Sequence, residues 1–106
     1  LMNELPGLQV GWYSWWLSHG VEVIVRKNEL KPFHASWLEA FPFTKVSDLP
    51  IEPKNPPHYQ GLLNAKETKE VFGDGSLGGP YEVSPEIMNE IFFCAYQDIL
   101  HLLNFE

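Results

Sequence analysis

Three side chains able to do chemistry fall within six positions of the segment PFHASWLEAFPF, residues 32–43: His34, Trp37 and Glu39. Imidazole titrates near neutrality, which suits it to passing a proton to or from a reacting group. Glu39 lies five residues after His34. On an α-helix that separation is a net turn of about 140°, so the two side chains do not share a face. At the helix entrance, as an N-cap, His34 is free to project into a cleft. Composition alone favours the plainer alternative, a histidine set in an aromatic core.

Trp12, Trp15 and Trp16 form a second constellation. Alternation along a strand sends Trp15 and Trp16 to opposite faces, one into the core and one toward a helix layer or cleft. Clustered indoles wall small-molecule sites, and they also fill small cores. The remaining histidines, His19, His58 and His101, read as surface, loop and half-buried helix positions. No pair has the H-x-x-x-H spacing of a metal site.

Chemistry aside, 106 residues make one domain's worth of chain. Seven basic residues against fourteen acidic ones give a net charge of -7. No Lys/Arg stripe is present, which argues against nucleic acid or an anionic membrane as partner. Cys94, the only cysteine, sits in the apolar run EIFFCAYQDIL. It reads as a buried reduced thiol, excluding a disulfide framework and pointing to a reducing, cytoplasmic setting. No charged start precedes an apolar run and no apolar stretch is long enough for a bilayer, so neither a signal peptide nor a span is expected. Leu1 stands before Met2, which suggests a piece of something longer.

The elements that must position these residues are unevenly signalled. Residues 8–16, LQVGWYSWW, read as a buried strand. VEVIVRKNEL is ambiguous: Val21, Val23 and Val25 alternate as in a strand, whereas Arg26 to Leu30 favour a helix. Residues 35–41 are good helix formers, and Pro42 ends or kinks that helix. Residues 49–83 form a long Pro/Gly-rich loop, interrupted by a short helix capped by Asn64. The clearest element is a helix over 85–103. Ser84 caps it, Pro85 takes its first position, and Ile87, Met88, Ile91, Phe92, Tyr96, Ile99 and Leu103 recur at helical spacing. It is apolar around much of its circumference, which predicts burial on more than one side. One or two strands make no independent sheet, so the chain reads as part of a larger α/β fold or as the partner of another chain.

FHASWLEAFPFTKVSDLP resembles a segment of the creatininase (creatinine amidohydrolase) family. There a histidine and a small pair precede a Glu-Thr-Ser that opens a helix. A subgroup with HASW followed by EN-F-P is closer still. LQVGWYSWWL is similar to the family's preceding strand, which ends in serine, an aromatic and tryptophan. GDGSLGGPYEVSPEIMNEIF resembles the glycine-rich approach to the last helix. The landmarks follow the family order over nearly the whole chain.

The resemblance implies the C-terminal portion of a three-layer α/β/α fold, incomplete as a stand-alone domain. It also implies part of a metal-dependent hydrolase of a small, cyclic amide or related carbonyl compound. His34 matches the proton-transfer histidine, and Glu39 the supporting glutamate. Trp16, with Trp15 and Trp37 beside it, matches the substrate-covering tryptophan. The Zn or Mn ligands of that family come from segments absent here. The implied partners are an N-terminal half of the same enzyme, a small-molecule substrate, and further copies in a homo-oligomer. Phe33 stands where the family often has an acidic residue, and Ala40 and Phe41 replace Thr-Ser. Both departures turn the reading away from creatinine itself. Two alternatives remain: ring opening of a cyclic diketone of the oxidised-inositol type, and a non-catalytic acidic binding or immunity-type protein.

Overall fold

The computed structural model describes residues 4–104, so Leu1 and Met2 lie outside the described residues. Three helices carry the architecture: α1 (His19–Lys27), α2 (Ala65–Phe72) and α3 (Pro85–Leu102). Short 3-10 turns lie before α1, at Trp15–Leu17, and between α1 and α2, at Trp37–Glu39 and Pro42–Thr44.

In α1, local capping decides what valine alternation left open. The Ser18 hydroxyl accepts from the Val21 N–H at 3.1 Å, Glu22 sits in the first turn, and Arg26 and Lys27 sit in the last. Charge at both ends therefore complements the helix dipole. Val21 and Ile24, three apart, turn inward, while Val23 stays exposed. Gly20 is needed where α1 meets α3, because a Cβ there would overlap Cys94 Sγ.

Helix α2 is held by a reciprocal capping box. The Glu67 N–H donates to Asn64 Oδ1 at 3.0 Å, and the Asn64 N–H donates to Glu67 Oε2 at 2.9 Å. Gly73, at φ 62°, closes it. Helix α3 begins at the Ser84 cap and Pro85, as the sequence predicts.

The core is small. Val21 and Ile24 from α1, Met88 and Ile91 from α3, and Trp37 from its turn are buried together. The Trp37 indole N–H donates to the Lys31 carbonyl at 3.0 Å, so its polar edge is satisfied inside. The chain is also open in shape. Its radius of gyration is 17.6 Å, against about 13 Å for a compact domain of this length.

Two expected elements take other forms. Residues 8–14 carry no regular structure, and Trp15–Leu17 is a 3-10 turn, where a strand over 8–16 was expected. A strand needs a ladder, and the β-pairing among the described residues is the isolated antiparallel bridge Lys54–Gly79. The sheet that an α/β architecture requires is not formed among the described residues. The helix expected over 35–41 is likewise replaced by the turns at Trp37–Glu39 and Pro42–Thr44. Ala35 takes φ 51°, a left-handed conformation that no α-helix passes through. Pro42 then arrives before a stable helical nucleus can form.

The long loop is pinned rather than loose. Lys54 and Gly79 exchange both backbone hydrogen bonds, at 2.9 and 2.8 Å. Lys54 Nζ donates to the Phe72 carbonyl at 2.6 Å and to Asp74 Oδ1 at 2.5 Å, while the Tyr81 hydroxyl donates to Asp74 Oδ2 at 2.5 Å.

Candidate functional site

His34 stands on a turn whose backbone is locked. The Ser36 hydroxyl donates to the Phe33 carbonyl at 2.7 Å and accepts from the Phe33 N–H at 3.3 Å, tying the turn across its base. The glycine-rich loop grips the turn from outside. Leu77 N–H donates to the His34 carbonyl, and Trp37 N–H donates to the Pro80 carbonyl, both at 3.0 Å. Gly79, at φ 78°, lies flat against Phe33, where a Cβ would come within 2.7 Å of the ring. The His34 side chain itself is exposed. A strained residue, Ala35, sits directly beside an exposed imidazole on a fixed backbone, a combination found at functional turns.

Beside this turn lies a groove of about 390 Å³. Ala35, Ser36, Glu39, Lys45, Tyr81 and Met88 are among the residues that line it. Glu39 is exposed at its edge. Lys45 reaches toward Asp48 at 3.9 Å and Glu82 at 3.7 Å. The groove lining thus mixes apolar side chains with the charged Glu39, Lys45 and Glu82.

The tryptophans separate. Trp37 is fully buried at the centre of the core, so the sequence-based assignment to substrate contact gives way to a structural role. Its neighbours Val21, Ile24, Met88 and Ile91 leave no open path to its face. Trp15 is half-buried and packs edge-on against Phe41, with ring centroids 5.5 Å apart. Trp16 is exposed and meets Trp15 edge-to-face at 5.8 Å. Trp15 lines a second groove, also about 390 Å³, walled by Phe41, Phe43, Phe92, Tyr96 and Ile99. His34 lines neither groove, although the two residues after it line the first.

Titration behaviour marks two further places. The Lys54 ammonium, the Tyr81 hydroxyl and the Ser76 N–H hold the Asp74 carboxyl down at about 2. Burial, then the hydrogen bond to Asp98, pushes the Tyr13 phenol up to about 12. Burial also raises the Cys94 thiol, with the Asp98 charge adding to it. Sequence reasoning missed the Lys54–Asp74–Tyr81 cluster, whose members lie 20 and 7 residues apart and follow no motif. It also missed the aromatic wall of Phe41, Phe43 and Phe92, for which the FPF and IFF runs were the available signal.

Among the described residues no three His, Cys, Asp or Glu side chains come together as a metal-holding group. No helix among them is long and apolar enough to cross a membrane. No family model, curated protein or solved structure matches the chain.

Proposed function

We propose that this chain supplies one wall of a small-molecule hydrolase site of the creatininase type, with His34 as its proton-transfer group. The observation that carries the reading is the exposed His34 imidazole on a backbone locked by Ser36, Leu77 and strained Ala35, on a turn whose next two residues line a groove of about 390 Å³. Among the described residues no group fits a metal; on this reading another polypeptide segment would hold it, and the metal would supply the activated water. What this chain does is bounded accordingly. As water oxygen bonds to the amide carbon, His34 takes a proton from that water, and it returns the proton to the leaving nitrogen as the C–N bond breaks. Glu39, which lines the groove, orients the polar end of the substrate, and the covering role of Trp16, which lines neither groove, comes from the family resemblance alone.

The test uses the complete complex, purified with its metal and assayed on a panel of small lactams and formamides. His34→Ala lowers turnover by roughly 10²–10⁴-fold while helix content and metal content stay unchanged. Unchanged turnover sinks the assignment.

A second reading, an acidic binding protein, draws on a different observation. Trp12, Trp16, Phe43, Phe92 and Phe93 are all exposed on a chain of net charge -7, a surface on which aromatic side chains would anchor a partner. Metal analysis with an intact mass separates the two. A metal-bearing assembly with a second polypeptide supports the hydrolase, and a metal-free chain that captures a basic protein supports the binding reading.

A further inference from the structure

Helix α3 is apolar on two sides, and this chain covers one of them. Met88 and Ile91 face the core and are shut off from solvent. On an adjoining face Phe92, Tyr96, Ile99 and Leu103 remain 50%, 47%, 41% and 54% exposed. Their spacing of four, three and four residues is that of a helical seam, which receives the side chains of a second helix. Phe43, 70% exposed, stands over this stripe with its ring 5.4 Å from that of Phe92. With Trp15 and Phe41 it turns the stripe into the aromatic groove of about 390 Å³.

We infer that this face is an interface between two copies of the chain, with α3 of each lying antiparallel along α3 of the other. The inference stands independently of the hydrolase reading, since it uses neither His34 nor the groove beside it. The residues lining the aromatic groove carry no charge, so it offers no electrostatic preference for a basic partner. A seam spaced four-three-four, by contrast, is complementary to itself about a twofold axis. An aromatic side chain presents roughly 150–250 Å² when fully exposed. At the observed exposures the stripe with Phe43 leaves on the order of 500 Å² uncovered per chain, and a symmetric pair that covers all of it removes on the order of 1,000 Å², the least that a specific interface needs.

The palindromic spacing favours the antiparallel pair, and the charge at the helix start agrees with it. Glu86, Glu90 and Asp98 lie on α3, which carries no Lys or Arg. A parallel pair sets Glu86 against Glu86. An antiparallel pair centred between Tyr96 and Ile99 places the two Glu86 residues roughly 34 Å apart along the axis and the two Glu90 residues roughly 22 Å apart. Both separations exceed the screening length of about 8 Å. In that pair the two Asp98 residues come level, about 1.5 Å apart along the axis, each already accepting from its own Tyr13 hydroxyl.

Sedimentation equilibrium of the full chain is expected to give a concentration-dependent dimer. Ile99→Asp weakens it by roughly thirty-fold or more, with the far-UV helix signal retained. On a Cys94→Ser background, Tyr96→Cys chains mixed with Ile99→Cys chains form a disulfide across the seam, because those positions face one another in the antiparallel pair. A chain that stays monomeric at all concentrations overturns the inference and leaves the face to a different polypeptide. Tyr96→Cys chains that pair only with themselves overturn the antiparallel arrangement.

Discussion

The Tyr13 hydroxyl donates to Asp98 Oδ2 at 2.7 Å, closing a loop of 85 residues between the segment before the first turn and the middle of α3. This bond holds the irregular aromatic segment against the helix, where the sequence anticipated a sheet. It also has a pH signature. The phenol keeps its proton from its ordinary 10.0 up to about 12 in the folded chain. The stabilisation is therefore complete below pH 10 and is lost as pH rises through 12. Tyrosinate absorbance should show Tyr13 ionising above the ordinary tyrosine range, with Tyr81, raised by its bond to Asp74, also late. Asp98→Asn should bring Tyr13 only part of the way down, because burial is the larger cause. A full return to the ordinary value would mean that the phenol is not buried.

The Lys54–Asp74–Tyr81 buckle makes the opposite prediction in acid. Asp74 is held near 2, below its ordinary 3.8. Its contribution is present above pH 3.8 and fades as pH falls through about 2. Amide exchange at Lys54 and Gly79, which bond to each other, should accelerate over that window. Asp74→Asn should produce the same acceleration at neutral pH. Equal protection in wild type and variant would show that the bridge holds without the carboxylate.

What could be read from sequence was local, and what could not was tertiary. Ser84 with Pro85, and Asn64 with Glu67, announce α3 and α2 because each cap is completed within four residues. Val21, Val23 and Val25 carried two periodicities, and the tie was broken by the Ser18 cap and by Gly20 seated on Cys94, 74 residues further along. The aromatic run at 8–16 has strand-like composition, but composition supplies no ladder partner. The helical bias of 35–41 lost to a left-handed Ala35 pinned from residues 77–80, a contact no window of sequence contains. The site followed the same division. The residue types at His34 and Glu39 were visible, whereas the burial of Trp37 was not, because its indole N–H finds Lys31 through a turn that the helix reading did not include.

Trp37 should be the position of greatest energetic consequence. It is fully buried in a core of five side chains, and its indole N–H satisfies a backbone carbonyl. Trp37→Ala is expected to cost about 3–5 kcal/mol, enough to unfold a chain with so small a core. Trp37→Phe fills most of the volume but leaves the Lys31 carbonyl without its donor, a loss of about 1–3 kcal/mol. Urea unfolding followed by far-UV circular dichroism orders them. A Trp37→Phe chain as stable as wild type would remove the indole hydrogen bond from the account.

Ala35 separates strain from function. An L-residue at φ 51° costs roughly 1–2 kcal/mol relative to glycine, against roughly 0.4–1 kcal/mol that glycine loses through the freer unfolded chain. Ala35→Gly should therefore stabilise the protein by up to about 1 kcal/mol. Glu29, at φ 53° after α1, provides a matched position away from His34, and Glu29→Gly should give a similar gain. The two differ in what they do to the site. Glycine at 35 leaves the Ser36–Phe33 and Leu77–His34 bonds in place but frees the peptide between them. In the hydrolase complex Ala35→Gly should thus lower turnover moderately, far less than His34→Ala, while Glu29→Gly leaves it unchanged. Equal turnover in the two glycine variants would show that the left-handed turn does not position the imidazole, and the proton-transfer role would then have to rest on His34→Ala alone.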